Sequence, residues 1–223
     1  MKYILIRSRR RTIAIYVSDG SVVVRAPLRM LQADIQGFVD SKKEWVDSRL
    51  TDSLCKKKRR DSFTIAIGDS FLLLGKSYPI IDRKGTKSGF DGKYFYVPAC
   101  STYEQIKTAC VKAYRLLAKK YIAAKVYEFA KAMLVSPNSI RITGAATRWG
   151  SCSAKGSINF SWRLIMADSD VVDYVVVHEL AHLKVMNHSK KFWAVVSNVC
   201  PDYKQRQTKL KALHRKLELE NWD

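Results

Sequence analysis

Residues 171–188, VVDYVVVHELAHLKVMNH, contain three of the four histidines in this 223-residue chain. His178 and His182 are four positions apart, so on a helix their side chains lie about 40° apart around the axis and point the same way. One metal ion can then contact both imidazoles. Glu179 is too far round such a helix to bind the ion but can hydrogen-bond a water molecule on it. The stretch predicts a zinc site with Glu179 as general base.

The residues before this motif predict a buried helix. Residues 171–177 are apolar nearly all round, which is typical of a helix inside a core. Two histidines and a glutamate buried there without a metal would be costly to desolvate. The alternative is that His178 and His182 are ordinary core or surface histidines.

A third protein ligand is expected, because zinc hydrolases of this kind use three protein ligands and keep one position for water. His188 is the natural candidate, since its separation from His182 equals that in the long zincin motif with a third histidine. Carboxylates such as Asp202 and Glu218 are the rival ligands, as in zincins whose next helix delivers an acid.

The residues around His188 predict a sharp turn. Asn187 can adopt the left-handed conformation that ends a helix, and Ser189 can cap a new helix that begins at Lys190. Such a turn would swing His188 back toward the metal.

The N-terminal part of the chain begins with strand signals. Apolar residues alternate from Ile13 to Val17, Asp19-Gly20 is typical of a two-residue hairpin turn, and residues 22–25 form the returning strand. Apolar positions then recur every three or four residues from Gln32 to Leu50, which predicts one amphipathic helix against that sheet. The basic run at residues 56–60 interrupts this pattern and predicts an exposed connection.

Two further turn signals extend the β-rich part of the chain. Gly68-Asp69 lies between the apolar runs 64–67 and 71–74 and predicts a turn. Asp91-Gly92 precedes a third run, residues 94–97, which predicts another turn and strand.

The remainder of the chain alternates helix and strand signals. Ser101 to Glu104 is a capping box, and the apolar positions after it predict a long helix that runs to about Leu134. Residues 140–145 and 157–162 are predicted strands, and the motif helix begins near Asp168. This is the element order of a small zincin domain.

These patterns predict an α+β fold with two parts. Residues 1–98 are a β-rich accessory region with a helix, and residues 99–223 are a zincin-like catalytic domain. That domain combines the long helix, a short sheet, the motif helix and C-terminal helices. The last of these, from about Pro201, is dense in Lys and Arg.

Several motifs spread over most of the chain carry a resemblance to a known family. They are RRRTI at 9–13, RWGSCS at 148–153, GSINF at 156–160, VVVHELAHL at 175–183 and MNHS at 186–189. In these motifs the chain resembles the YgjP-like metallopeptidases, which are similar in turn to SprT-type zinc proteases. The resemblance implies that His178, His182 and His188 are the zinc ligands and Glu179 the catalytic base. It also implies that the strand before the motif helix is a substrate-side edge.

The predicted site is suited to peptide hydrolysis. One Zn²⁺ on three neutral imidazoles lowers the pKa of a bound water, and Glu179 can take its proton and pass it to the leaving amine. The substrate would be a polypeptide, added to the sheet edge as an extended strand. A second oxyanion donor is expected, and Arg148 and Tyr203 are the candidates. The alternative is that each of them is a structural or surface residue.

Cysteine content and hydropathy limit the class of protein. Five cysteines, with no Cys-x-x-Cys pair, argue against a disulfide framework and a zinc finger. Cys152 can approach the site or be a buried inert thiol. The N-terminal apolar run is too short for a signal peptide, and no run reaches the ~18 apolar residues of a membrane span. We therefore expect a cytoplasmic protein with no membrane partner.

The formal charge of +20 predicts an attraction to polyanions, of which nucleic acid is the plausible one. Basic patches occur at residues 7–11, at 56–60, and along the C-terminal helix at Lys204, Arg206, Lys209, Lys211, Arg215 and Lys216. No RRM, KH or zinc-finger signature accompanies these patches, so a solvated basic surface is the alternative. The sequence leaves two functions open: a zinc metallopeptidase, or a basic nucleic-acid-binding protein that retains a zincin scaffold with little or no peptidase activity.

Overall fold

The computed structural model describes residues 1–222, which fall into two units. The N-terminal unit contains Met1–Phe63 and Lys216–Asn221, and the C-terminal unit contains Thr64–Arg215 and Trp222. The described residues form six α-helices, one 3-10 helix and three small sheets. The predicted mixed α and β fold is confirmed, whereas the domain boundary between residues 98 and 99, which falls inside the C-terminal unit, stays a prediction.

A three-stranded sheet opens the N-terminal unit. Its strands are β1 (Ile4–Ser8), β2 (Ala14–Ser18) and β3 (Ser21–Pro27), in the order β1-β3-β2. β2 and β3 form the predicted hairpin, and Asp19 and Gly20 at its turn have φ of 51° and 75°, as a type I′ turn requires. The parallel pairing of β1 with β3 was not predicted, because it joins residues that are distant in the sequence.

Two helices cover one face of this sheet, where a single helix over residues 32–50 was predicted. That prediction is wrong: α1 (Gln32–Ser41) ends and α2 (Lys43–Asp61) begins at Lys42, which has φ −111° and ψ 12°. The basic run 56–60 is helical rather than a connection. Lys and Arg are good helix formers, and cations in a last turn complement the helix dipole.

A four-stranded sheet opens the C-terminal unit. Its strands are β4 (Ser70–Leu73), β5 (Lys76–Arg83), β6 (Gly89–Phe90) and β7 (Phe95–Pro98), in the order β4-β5-β7-β6.

The turns of this sheet differ in part from those predicted. The hairpin of β4 and β5 turns at Leu74-Gly75, with φ of 49° and 75°, which was not predicted. A tertiary hydrogen bond from the Leu74 amide to the Ile165 carbonyl holds Leu74 in this unusual conformation. The predicted turn at Gly68-Asp69 is confirmed, since Gly68 has φ 94° and the Asp69 amide donates to the Ala66 carbonyl, but residues 64–67 before it do not form a strand. The turn at Asp91 is confirmed, and its Oδ1 accepts hydrogen bonds from the amides of Lys93 and Tyr94.

The long helix α3 (Tyr103–Met133) is the longest element of the C-terminal unit. Its N-cap is Thr102, whose hydroxyl pairs with the amide of Gln105 while the Gln105 side chain accepts from the Thr102 amide. The capping box thus lies one residue later than predicted, because the glutamine fills the position expected for Glu104. The helix ends at the predicted place, where Leu134 has φ 52°.

The third sheet lies beside the motif helix. β8 (Ser139–Thr143), β9 (Gly150–Cys152) and β10 (Ser157–Ser161) have the order β8-β10-β9, which confirms the two predicted strands and adds β9 at an edge. The expectation that the strand before the motif helix is an edge is wrong, because that strand, β10, pairs with β8 on one side and with β9 on the other. A 3-10 helix (Trp162–Met166) leads to three helices: α4 (Ser169–Ala181), α5 (Lys190–Val199) and α6 (Tyr203–Leu217).

The turn between α4 and α5 is made differently from the prediction. His182 follows α4 in a right-handed conformation. Asn187 does not have a positive φ, so the prediction of a left-handed residue there is wrong. Amides of residues 183–185 instead donate to carbonyls of the last helical turn. Ser189 is the N-cap residue of α5, as predicted. No helix among residues 1–222 is both long and apolar enough to cross a membrane.

Candidate metal centre

Three histidine side chains converge where α4 ends and α5 begins. A nitrogen atom from each of His178, His182 and His188 lies within 4.8 Å of those of the other two. Nε2 of His178 is 3.1 Å from Nε2 of His188, and all three ring centroids are 4.8–5.0 Å apart. The motif spacing and the turn after it bring together the three residues that the sequence singled out.

The electrostatic state of these rings suits metal binding. Desolvation, and then the neighbouring imidazoles, lower the pKa of His178 to about 4. Desolvation also lowers the pKa of His182. A neutral imidazole keeps the lone pair that a metal needs. Three nitrogen donors in so small a space fit a borderline-soft divalent cation such as zinc.

The rival carboxylate ligands have other partners. Asp202 pairs with Nε of Arg206 at 2.9 Å, and Glu218 pairs with Nζ of Lys56 at 2.8 Å. Throughout residues 1–222, the three histidines are the only group of His, Cys, Asp or Glu with the spacing of a metal site.

Hydrogen bonds behind the histidines involve residues that the sequence analysis missed. The Tyr174 hydroxyl lies 3.4 Å from Nδ1 of His178, and Nε2 of Gln207 donates to that hydroxyl at 2.9 Å. Nδ1 of His182 lies 3.3 Å from the Val185 carbonyl. Contacts at Nδ1 leave Nε2 of each ring directed to the cluster. Tyr174 precedes His178 by one helical turn, and that spacing is the signal that could have indicated its role.

Aromatic rings form one wall of the cluster. The buried Phe192 ring is 4.6–4.9 Å from all three imidazole rings, and Trp193 lies 5.9 Å from those of His178 and His188. Tyr203, a predicted oxyanion donor, stacks on Trp193 with centroids 5.1 Å apart. This wall lowers the local polarity and contributes to the desolvation of His178 and His182, whereas His188 is exposed.

Arg148, the other oxyanion candidate, is exposed in the segment that leads into β9. Sequence analysis could not rank it against Tyr203, since neither position belongs to a motif with a fixed spacing to the histidines.

Glu179 is buried, with 5% of its surface exposed, and lies against β9. A β-carbon on residue 150 would be 2.5 Å from Oε1 of Glu179, so any larger residue there would displace the Glu179 side chain. Burial raises the pKa of Glu179 to about 7. Cys152 is half-buried, and desolvation, followed by the charge of Glu179, raises the pKa of its thiol. Cys152 is therefore neither fully buried nor clear of the site, so both alternatives, site contact and an inert thiol, stay open.

Comparison with known proteins now decides the family. The family described as YgjP-like, metallopeptidase domain, matches residues 11–213. The chain belongs to the YgjP-like family. The resemblance seen in the sequence is thereby confirmed, and the YgjP-like domain is a metallopeptidase domain that would act on polypeptides. The comparison with curated proteins found no match.

Two solved structures are similar to parts of this YgjP-like chain. One is the metallopeptidase zymogen abylysin of Pyrococcus abyssi, which is 23% identical and has a TM-score of 0.39 over 45% of this chain and 97% of its own. The other is the metallopeptidase zymogen jannalysin of Methanocaldococcus jannaschii, 22% identical, with a TM-score of 0.33 over 40% of this chain and 94% of its own.

Proposed function

We propose that this protein is a zinc-dependent peptidase in which His178, His182 and His188 hold one Zn²⁺ and Glu179 is the general base. The observation that carries the proposal is the convergence of three imidazoles, together with the burial of Glu179, the residue next to His178 on α4. When bound, zinc supplies Lewis acidity, which brings the pKa of a water molecule toward neutrality and polarises a peptide carbonyl.

Glu179 moves the proton in this proposal. Its carboxylate takes a proton from the attacking water and gives it to the nitrogen of the leaving amine, so no covalent intermediate with the protein is needed. A pKa raised to about 7 by burial makes both transfers possible near neutral pH. Because Gly150 has no side chain, the Glu179 carboxylate can occupy the space beside β9.

The β9 edge is the proposed place for the substrate backbone. In the third sheet β9 pairs with β10 on one side, which leaves backbone groups on the other side for an extended peptide. The proximity of Gly150 to Glu179 supports this placement, because a peptide along β9 would pass beside the base. Polypeptide is therefore the proposed substrate class.

The second oxyanion donor is proposed to be Tyr203 rather than Arg148. Tyr203 stacks on Trp193, whose ring is itself close to those of His178 and His188. Only the Trp193 ring lies between Tyr203 and these histidines, so the Tyr203 hydroxyl is better placed to stabilise a developing oxyanion than the exposed guanidinium of Arg148.

Cleavage of an unfolded polypeptide such as casein tests the proposal. We expect cleavage by the zinc-loaded wild-type protein, loss of cleavage with a chelator, recovery when zinc is restored, and loss in Glu179→Gln with zinc still bound. Glu128→Gln is the matched control, because Glu128 is an exposed residue of α3 that pairs with Lys125. Full activity in Glu179→Gln would refute the mechanism. Absence of cleavage together with tight, salt-dependent DNA binding would instead favour a nucleic-acid-binding protein without peptidase activity.

A further inference from the structure

One face of the N-terminal sheet is covered and the other is open. The covered face packs on α1 through Val24, Ala26, Ile35 and Val39. The strand register defines the open face: Ile4 and Tyr16 flank Val23, and Ile6 and Ala14 flank Arg25. Ile4, Ile6 and Tyr16 are 58%, 43% and 47% exposed.

A planar cation and an aromatic ring lie together on this open face. The Arg25 guanidinium carbon is 4.9 Å from the centre of the Tyr16 ring. The small side chain of Ala14, opposite Arg25, leaves space for this contact. Aromatic rings and guanidinium planes surrounded by apolar side chains are the surfaces on which unpaired bases stack.

Arginines gather at one end of the same sheet. Because β1 and β3 are parallel and β2 is antiparallel to them, the ends of β1 and β3 meet the start of β2 there. The arginines on or beside these strand ends are Arg7, Arg9, Arg10, Arg11, Arg25 and Arg29. Arg7 donates to the carbonyls of Pro27, Leu28 and Met30 and so holds the chain after β3.

Carboxylates are sparse in the strands and turns of this sheet, and the first one after it is Asp34, in the first turn of α1. The only acidic residue among residues 1–33 is Asp19, in the hairpin turn at the opposite end, where it pairs with Arg60. None of the six arginines forms an ion pair with a described residue. The other basic patches are partly neutralised, since Lys56 pairs with Glu218 and Lys209 pairs with Asp168 and Asp170.

We propose that the open face of this sheet binds single-stranded nucleic acid. Bases stack on Tyr16 and Arg25, and the exposed Arg9, Arg11 and Arg29 bind phosphates, each with a forked guanidinium suited to two phosphate oxygens. The exposed apolar side chains favour a single strand, because a duplex hides the faces of its bases. The proposal adds a binding activity to the peptidase and does not depend on it.

Fluorescence anisotropy of a labelled thymidine 20-mer, compared with a 20-base-pair duplex at several salt concentrations, tests this. We expect the wild-type protein to bind the single strand more tightly. Replacing Arg9 and Arg11 together by Ala should weaken binding and make the slope of log affinity against log salt shallower by about 1.4, for two lost phosphate contacts. Tyr16→Ala should weaken binding about tenfold without changing the slope, and Tyr16→Phe should retain it.

The matched control removes the same charge elsewhere on the N-terminal unit. Lys57 and Lys58, exposed on α2, are both replaced by Ala, and affinity should change by less than about threefold. The proposal is overturned by equal losses in the two double variants, by tighter binding of the duplex, or by a Tyr16→Ala variant with wild-type affinity. Binding to phosphatidylserine vesicles without binding to the oligonucleotide would overturn it in favour of a lipid surface.

Discussion

Gly150 and Glu179 are in direct contact: any side chain at position 150 would need the space that the Glu179 carboxylate occupies, with 2.5 Å between a β-carbon and Oε1. We therefore expect Gly150→Ala to lower peptidase activity at least tenfold while zinc stays bound, because the carboxylate must move and the metal ligands need not. Activity and bound zinc are measured on the same samples.

Gly37→Ala is the control for this substitution. Gly37 lies in α1, and a β-carbon there meets nothing within 4 Å. It should leave activity unchanged and raise the free energy of unfolding by roughly 0.5–1 kcal/mol, since alanine favours a helix. A Gly150→Ala protein as active as Gly37→Ala would show that the position of the carboxylate is not critical.

Each of the three clustered histidines should be needed for zinc. Replacing His178, His182 or His188 by Ala removes one of three donors, and we expect dialysed protein to retain much less than one zinc per chain. His214→Ala is the control, because His214 packs on Trp149 and is not part of the cluster. If His188→Ala kept its zinc and Asp202→Asn lost it, the third ligand would be the carboxylate.

Tyr174→Phe should weaken zinc binding about tenfold, because loss of a hydrogen-bonding partner behind a metal ligand usually costs one to two orders of magnitude in affinity. The hydroxyl removed is the one 3.4 Å from Nδ1 of His178. Zinc affinity is measured by competition with a chromogenic chelator. Tyr127→Phe, on an exposed tyrosine of α3, should bind zinc like the wild type. Equal affinities in the two variants would contradict a positioning role for Tyr174.

The thiols should differ sharply in reactivity. Burial raises the pKa of Cys110 to about 12, so its thiolate form is suppressed at any ordinary pH. Iodoacetamide should label the exposed Cys55 and Cys100 in the native protein but should leave Cys110 unlabelled up to about pH 10. Mass spectrometry after labelling identifies the modified residues, and urea should make Cys110 reactive. Rapid native labelling of Cys110 would be evidence against the described packing of α3.

Local sequence signals predicted the elements that depend on neighbouring residues. The hairpin at Asp19-Gly20 and the start of α4 near Asp168 were predicted, because turn chemistry and apolar periodicity act over a few positions. Spacing made His188 the first candidate to join the motif histidines, although it left Asp202 and Glu218 open as alternatives.

Features that depend on distant contacts could not be predicted in the same way. The parallel pairing of β1 and β3 and the turn at Leu74-Gly75 are fixed by residues far along the chain. Local signals also missed the break at Lys42, since apolar periodicity continues across it. Gly150 lies in one of the family motifs, but only the packing of β9 on α4 shows that a larger residue there would displace Glu179.

The assignment of Lys216–Asn221 to the same unit as Met1–Phe63 has a practical consequence for dissecting the protein. A truncation at residue 63 would deprive the N-terminal piece of its C-terminal segment, including the partner of Lys56. Isolating either unit therefore requires two cut sites, or a linker that rejoins the separated segments.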